Sequence, residues 1–174
     1  MADLYDIINV PDPVLKQTAN AVETLNADIQ KQMDRMLETM YAAPGIGLAA
    51  NQVGLLNRVL VMDLSRRDEG EEADPICMVN PEIIYESEQI SVMEEGCLSI
   101  PQQYAEVERP AIVRVKYLDY AGKQAELEAE GLVSHCVQHE IDHLNGTLFI
   151  DYLSSLKRNM ILKKVEKLKK QNLI

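Results

Sequence analysis

The chain lacks the long apolar run that a bilayer demands. No hydrophobic stretch approaches the ~20 residues of a spanning helix, so no membrane role is expected. Its start, Met1-Ala2-Asp3-Leu4-Tyr5-Asp6, has neither the basic opening nor the apolar segment of a secretory signal. Cysteine is scarce: Cys77, Cys97 and Cys136, 20 and 39 positions apart, form no disulfide framework. These absences point to the reducing cytoplasm, where a cysteine serves as ligand, nucleophile or core filler. Basic charge is also short. Seventeen Lys and Arg against 28 Asp and Glu leave a net charge of -11, which argues against DNA or other nucleic acid as the main partner. No internal repeat or low-complexity linker interrupts the sequence, and residues 1–174 are read as a single catalytic domain, large enough to bury one core.

The charge is unevenly spread. Residues 157–170 hold Lys157, Arg158, Lys163, Lys164, Lys167, Lys169 and Lys170 against one acid, Glu166, leaving 10 basic and 27 acidic residues elsewhere. An acidic body thus carries a basic tail, and most such charge runs are solvated helix faces.

Periodicity sorts the chain into elements. Leu25, Ile29, Met33, Met36, Leu37 and Met40 recur at helical spacing and predict a helix over 25–42, ended by Pro44-Gly45. Arg58 to Met62 reads as a buried strand and 66–75 as a charged surface loop. Short strands are predicted near 76–80, 83–87 and 89–93. Alternation over 112–117, a turn at Tyr120-Ala121-Gly122-Lys123 and a return through 124–129 signal a hairpin. Leu132, Val133, Cys136, Val137, Glu140, Ile141 and Leu144 predict a helix stopping at Asn145-Gly146. A last helix, about 154–171, sets Leu156, Met160, Ile161, Val165 and Leu168 on one stripe. The class expected is α+β, with antiparallel sheets packed around a central helix and further helices toward each terminus.

The sharpest chemical signal lies on that central helix: His139-Glu140-Ile141-Asp142-His143. Histidines at i and i+4 share a face and can reach one metal ion. Amide carbons resist neutral water, whereas water held by such a metal ionises near neutral pH, at a pKa of ~7 in zinc enzymes. Glu140 would take the proton and return it to the leaving amine. The bland alternative is two surface histidines beside a solvated acid.

A third ligand is needed. Metalloproteases often supply it downstream in His-Glu-x-x-His-x-x-Gly-x-x-His, but here Phe149 holds the last position. Glu166, the one later glutamate, sits among lysines. Cys136 shares the histidine face, yet a metal level with residue 141 lies roughly 7.5 Å further along the axis, and helical side chains lean the other way. Cys136 is read as a pocket wall, or as core packing. Cys97, in Glu94-Glu95-Gly96-Cys97-Leu98-Ser99-Ile100-Pro101, has a better setting: Gly96 allows an unusual backbone turn and Pro101 stops pairing beyond it. One sulfur and two nitrogens would leave a fourth position open for water.

A third segment, Gly45-Ile46-Gly47-Leu48-Ala49-Ala50-Asn51-Gln52-Val53-Gly54, loosely matches a dinucleotide fingerprint. A helix precedes it where a strand is required, and no crossover helix fits before Arg58. Its small residues instead suit close backbone approach to a substrate, with Gln52 offering amide hydrogens.

With Gly45 to Gln52, Glu95-Gly96-Cys97-Leu98-Ser99 and Gln138 to Leu144 in this order and spacing, the chain resembles the peptide deformylases over most of its length, from Asn9-Val10-Pro11-Asp12-Pro13 to the C-terminal helix. The resemblance implies one divalent ion on Cys97, His139 and His143. It would be ferrous in the cell, with nickel, cobalt or zinc replacing it in purified protein. Glu140 would be the general acid/base, and the Gln52 amide with the Leu98 backbone N–H would stabilise an oxyanion. The substrate implied is an N-formylmethionyl peptide of a newly made polypeptide, the products formate and a free amino terminus. Ile46, Gly47, Leu132, Cys136 and His139 would border the methionine pocket, while Gly47, Glu95, Gly96 and neighbouring backbone align the peptide as an added strand. Two positions depart from the closest bacterial pattern: Tyr104 stands where several members carry arginine, and His135 where an aliphatic residue lines the pocket. His135 lies about 9 Å along the axis from the metal level, too far to ligate, and is read as a wall or rim residue. The resemblance also implies that the basic C-terminal helix docks on the ribosome. The rival functions are a His-Glu-x-x-His metalloprotease and a non-catalytic metal or peptide binder.

Overall fold

The computed structural model describes residues 3–174. Helix α1, Ala27–Ala42, starts two residues later than its apolar spacing suggests, because the Asn26 side chain accepts the Asp28 and Ile29 N–H groups and so caps it. Strands β1 (Gly47–Ala49), β2 (Val59–Met62), β3 (Ile76–Glu86), β6 (Ile112–Leu118) and β7 (Gln124–Glu130) form one antiparallel sheet in the order β1-β2-β3-β6-β7. Strands β4 (Ile90–Cys97) and β5 (Ile100–Pro110) pair as a second sheet. Helices α2 (Leu132–Leu144) and α3 (Ser155–Lys170) complete the α+β architecture expected from the sequence. Among the described residues no helix is long and apolar enough to cross a membrane.

Strand β2 explains why the large sheet is apolar on both sides. Leu60 and Met62 pack with Met78, Val113 and Val115 against Cys136, Val137, Ile141 and Leu144 of α2. Val59 and Val61 turn the other way, toward Met33, Met36 and Met40 of α1. The pleat alone sends alternate residues to the two helices. A third cluster joins Ile100 and Val107 of β5 to Phe149, Ile150, Ile161 and Val165.

Four expectations are corrected. The strands foreseen at 76–80 and 83–87 are one strand, β3, with register shifts between Val79 and Glu82 and between Ile83 and Tyr85. At the first shift Asn80 takes a φ of 52° and both exchanges hydrogen bonds with the Val22 backbone, so Pro81 falls where a missing N–H is harmless. Nor does Pro101 stop pairing. β5 continues to Pro110, because the register jumps from Gly96↔Tyr104 to Cys97↔Ile100 and leaves residues 101–103 in a bulge. Gly96 makes no unusual turn, its φ being negative or extended, and a Cβ there would lie 2.5 Å from the ring of the exposed Tyr104. Finally, the stripe on α3 is split. Ile161 and Val165 are buried, but Leu156 and Met160 are exposed, since Phe149, Ile150 and Leu153 already fill the core beneath the first turn.

Candidate metal centre

Helix α2 runs through the middle of the molecule with its His139 and His143 rings directed at the β4–β5 junction. His143 Nε2 lies 3.2 Å from His139 Nε2 and 3.3 Å from Cys97 Sγ. The three donor atoms fall within 4.8 Å of one another. Two imidazole nitrogens and a sulfur around one tetrahedral ion would stand roughly 3.3 to 3.6 Å apart at ordinary bond lengths. The donor set and its spacing therefore fit a divalent metal. Cys136 is excluded from the set, as its helical position foretells: its buried Sγ sits 3.7 Å from the Ile46 carbonyl, and burial pushes its thiol pKa well up.

His139 is oriented from behind. Its Nδ1 donates to Glu95 Oε1 at 2.9 Å, which leaves Nε2 free to face His143. Burial opposes protonation of His139, but Glu140, Cys97 and Glu95 around it raise its pKa well above the usual histidine value. His143 moves the other way, held neutral by burial and by the neighbouring His139 and Arg109. Its Nδ1 is buried without a hydrogen-bond partner.

Glu140 is the other orphan. It is buried beside the histidine pair, its Oε1 has no partner, and burial lifts its pKa to about 7. The glycine of β1 makes room for it: a Cβ on Gly47 would fall 2.9 Å from the Glu140 carboxyl carbon. Gln52 sits on the short 3-10 turn after β1. Its Oε1 accepts the Ala49 N–H at 3.0 Å, while its Nε2 donates to Ser99 Oγ at 3.1 Å and lies 3.6 Å from Cys97 Sγ.

A cavity of about 550 Å³ opens onto these groups. Ile46, Gly47, Gln52, Glu95, Gly96, Leu98, Leu132, His135, Cys136, His139 and Glu140 all line it, so the residues singled out from three distant segments share one wall system. Cys97 lines it too, and His143 is buried behind the ring of His139. Ile46, Leu132 and Tyr104 stand exposed at its mouth.

Glu95 has a second aspect that the sequence did not display. Its carboxylate turns inward, leaving only its backbone to meet a peptide. Arg109, which the motifs did not flag, grips it with Nε at 2.6 Å and Nη2 at 2.9 Å. Burial would raise the Glu95 pKa, yet the hydrogen bonds from Arg109, His139 and His135 hold it far below the usual carboxylate range. Arg109 also reaches Asp142 at 2.8 Å, and Asp142 accepts the Tyr152 hydroxyl at 2.8 Å. One signal for Arg109 was available: strict alternation along β5 puts it on the inner face with Val107, between the exposed Glu106 and Glu108. Ser91 and Ser99 carried no such signal.

The family described as Polypeptide deformylase matches residues 4–159. The chain is 57% identical to a peptide deformylase of Rhizobium meliloti (strain 1021) over 92% of this chain and 91% of that one. It is 56% identical to one from Phenylobacterium zucineum (strain HLK1), over 94% and 96%. Among solved structures, a peptide deformylase from Ehrlichia chaffeensis superposes with a TM-score of 0.93 at 40% identity, covering 99% of this chain and 100% of that one. A complex of the Ehrlichia chaffeensis protein with actinonin gives 0.89 at 43% identity, covering 94% and 96%.

Proposed function

The chain belongs to the polypeptide deformylase family, and from that membership we propose how its own residues remove the formyl group from the N-terminal formylmethionine of newly made polypeptides. The enzyme is a hydrolase of a linear amide bond and releases formate and a free amino terminus. Its family is one of metalloenzymes, and Cys97, His139 and His143 would hold one divalent ion. Ferrous iron is the ion proposed for the cell, with nickel, cobalt or zinc in purified protein, because a set of one thiolate and two imidazoles accepts several. When bound, the ion supplies Lewis-acid polarisation of the formyl carbonyl and acidifies water.

The remaining work falls to the protein. Glu140 takes the proton of the attacking water on its unpartnered Oε1 and delivers it to the amide nitrogen as that bond breaks. Burial, which lifts its pKa, favours its holding the proton between the two duties. The Gln52 Nε2 amide, fixed through Oε1, and the Leu98 N–H donate to the oxygen on which charge develops. Ile46, Leu132, His135 and Cys136 wall the methionine side chain, and the backbones of Gly47, Glu95 and Gly96 align the peptide as an added strand. The observation that carries the reading is the convergence of Cys97 Sγ and two Nε2 atoms beside an unpartnered, buried Glu140 oxygen.

Residues 1–174 are proposed to act as one catalytic domain in the cytoplasm. Ribosome docking by α3 is proposed on its exposed Lys157, Lys163, Lys164, Lys167 and Lys170. Lys169 is engaged elsewhere, donating to the Val10 carbonyl at 2.6 Å. Binding that weakens steeply with salt and disappears on deleting residues 157–174 supports docking; salt-independent binding sinks it.

The decisive experiment measures formate release from formyl-Met-Ala-Ser together with metal content, on wild type and Cys97→Ala. Loss of metal and activity in the variant is expected. Cleavage of internal peptide bonds would favour a metalloprotease, and full function in Glu140→Ala a non-catalytic binder. Native iron predicts rapid inactivation in air, slowed by catalase or a reductant.

A further inference from the structure

Glu95 accepts four hydrogens. The Arg109 fork takes one site on each oxygen, Nε on Oε2 and Nη2 on Oε1. His139 Nδ1 takes the second site on Oε1 at 2.9 Å, and His135 Nδ1 the second on Oε2 at 2.8 Å. A carboxylate offers about four lone-pair sites, so this one is saturated and cannot swing. His135 and His139 stand one turn apart on α2 and lean on Glu95 from the same helix face. Ser91 Oγ lies 3.2 Å from His135 Nε2. With Nδ1 facing a carboxylate, that nitrogen carries the proton, and Nε2 accepts the serine hydroxyl hydrogen. Glu95 thereby sets the tautomer, and Ser91 holds the remaining ring nitrogen and with it the ring plane.

We propose that His135, oriented by Ser91, is a positioning residue for the metal centre: it closes the fourth site on Glu95 and so fixes the ring plane of His139. The inference rests on the reading of His139 as a ligand. It explains why a ring that lies only 2% exposed, and too far along α2 to ligate, carries two hydrogen-bonding nitrogens at the cavity wall. An aliphatic side chain there would cover the same surface but leave Glu95 Oε2 one donor short, the carboxylate then being held by Arg109 and His139 alone and less tightly. His139 would then sample orientations in which Nε2 no longer faces His143.

The test strips the protein with a chelator and titrates cobalt(II), followed by its visible absorption. It compares wild type, His135→Leu, His135→Asn and Ser91→Ala, with KM and kcat for formyl-Met-Ala-Ser on each. His135→Leu is expected to bind cobalt about tenfold more weakly, the lower end for groups that orient metal ligands, alongside any change in KM that follows from altering the pocket wall. His135→Asn, whose amide N–H can stand where Nδ1–H stands, is expected to recover most of that loss, and Ser91→Ala to show a smaller loss. Wild-type cobalt affinity in His135→Leu overturns the proposal, as does an equal loss in the Leu and Asn variants. A changed KM with intact affinity also overturns it, since that marks a simple pocket wall. Should His135→Leu fail to fold, unchanged affinity in Ser91→Ala overturns it. Cys97→Ala binding cobalt as tightly as wild type would instead bring down the ligand reading, and this inference with it.

Discussion

Arg109 and Glu95 form a two-point ion pair in which neither side chain is more than 7% exposed. The pair bridges β4 and β5 and passes its order to His139. Removing one partner from such a buried pair leaves an uncompensated charge, typically worth 3 to 5 kcal/mol. Arg109→Met is therefore expected to lose about that much stability, read as a lower midpoint in urea. A loss below about 1 kcal/mol would mean that Glu95 neutralises or is reached by water.

Glu140→Gln keeps the volume and removes the proton carrier. The variant is expected to retain its metal and lose roughly 10² to 10⁴ in kcat, the usual range for a general acid or base. Formate release and metal analysis on the same sample separate the two effects. Loss of the ion along with turnover would assign Glu140 a structural duty instead.

Gly47→Ala places a methyl group against the Glu140 carboxylate. Because β1 is short and paired to β2, the backbone has little room to retreat and the carboxylate must move. Displacement by about 1 Å can cost on the order of 10²-fold in rate, and that fall in kcat is expected with the fold intact by circular dichroism. Normal turnover would show that Glu140 acts from a second position.

Asp63 supplies a pH dependence away from the metal centre. It is fully buried, and burial raises its pKa. Hydrogen bonds from Ser65, from the Tyr41 hydroxyl at 2.7 Å and from the Asp74 N–H at 2.9 Å outweigh that and leave it lowered. A carboxylate lowered in the folded state stabilises fully above its unfolded pKa of ~3.9, and the contribution drains as pH falls from there through the folded value. Asp63→Asn is expected to be less stable by about 1 to 3 kcal/mol at pH 7, with the gap to wild type narrowing below about pH 4 in urea unfolding. A gap that is constant with pH would contradict the sign.

Metal removal should itself lower stability. A ligand that binds only the folded chain adds about 2.7 kcal/mol at a hundred times its Kd. The chelator-treated protein is expected to melt earlier and to recover with added nickel or cobalt, whereas Cys97→Ala should show no such recovery. A melting temperature indifferent to metal in the wild type would speak against the site.

What could be read along the chain was whatever repeats within one element. The i, i+4 spacing of His139 and His143, the methionine stripe of α1 and the alternation of β6 and β7 are local, and all four elements form there, α1 beginning two residues late at its Asn26 cap. Helical rise alone was enough to set Cys136 aside as a ligand. Family resemblance then joined Gln52, Cys97 and Glu140, which no local period connects.

Tertiary structure decided everything that depends on register between strands far apart in sequence. The bulge at 101–103 lets β5 run past Pro101, and the long β4–β5 pairing puts Arg109 opposite Ser91 and close to Glu95. Only then does the Glu95 carboxylate turn inward to meet two histidines of α2 rather than outward to a peptide. A hydrogen bond between residues 40 or 44 positions apart leaves no periodic trace, because nothing in either segment alone sets the distance between them.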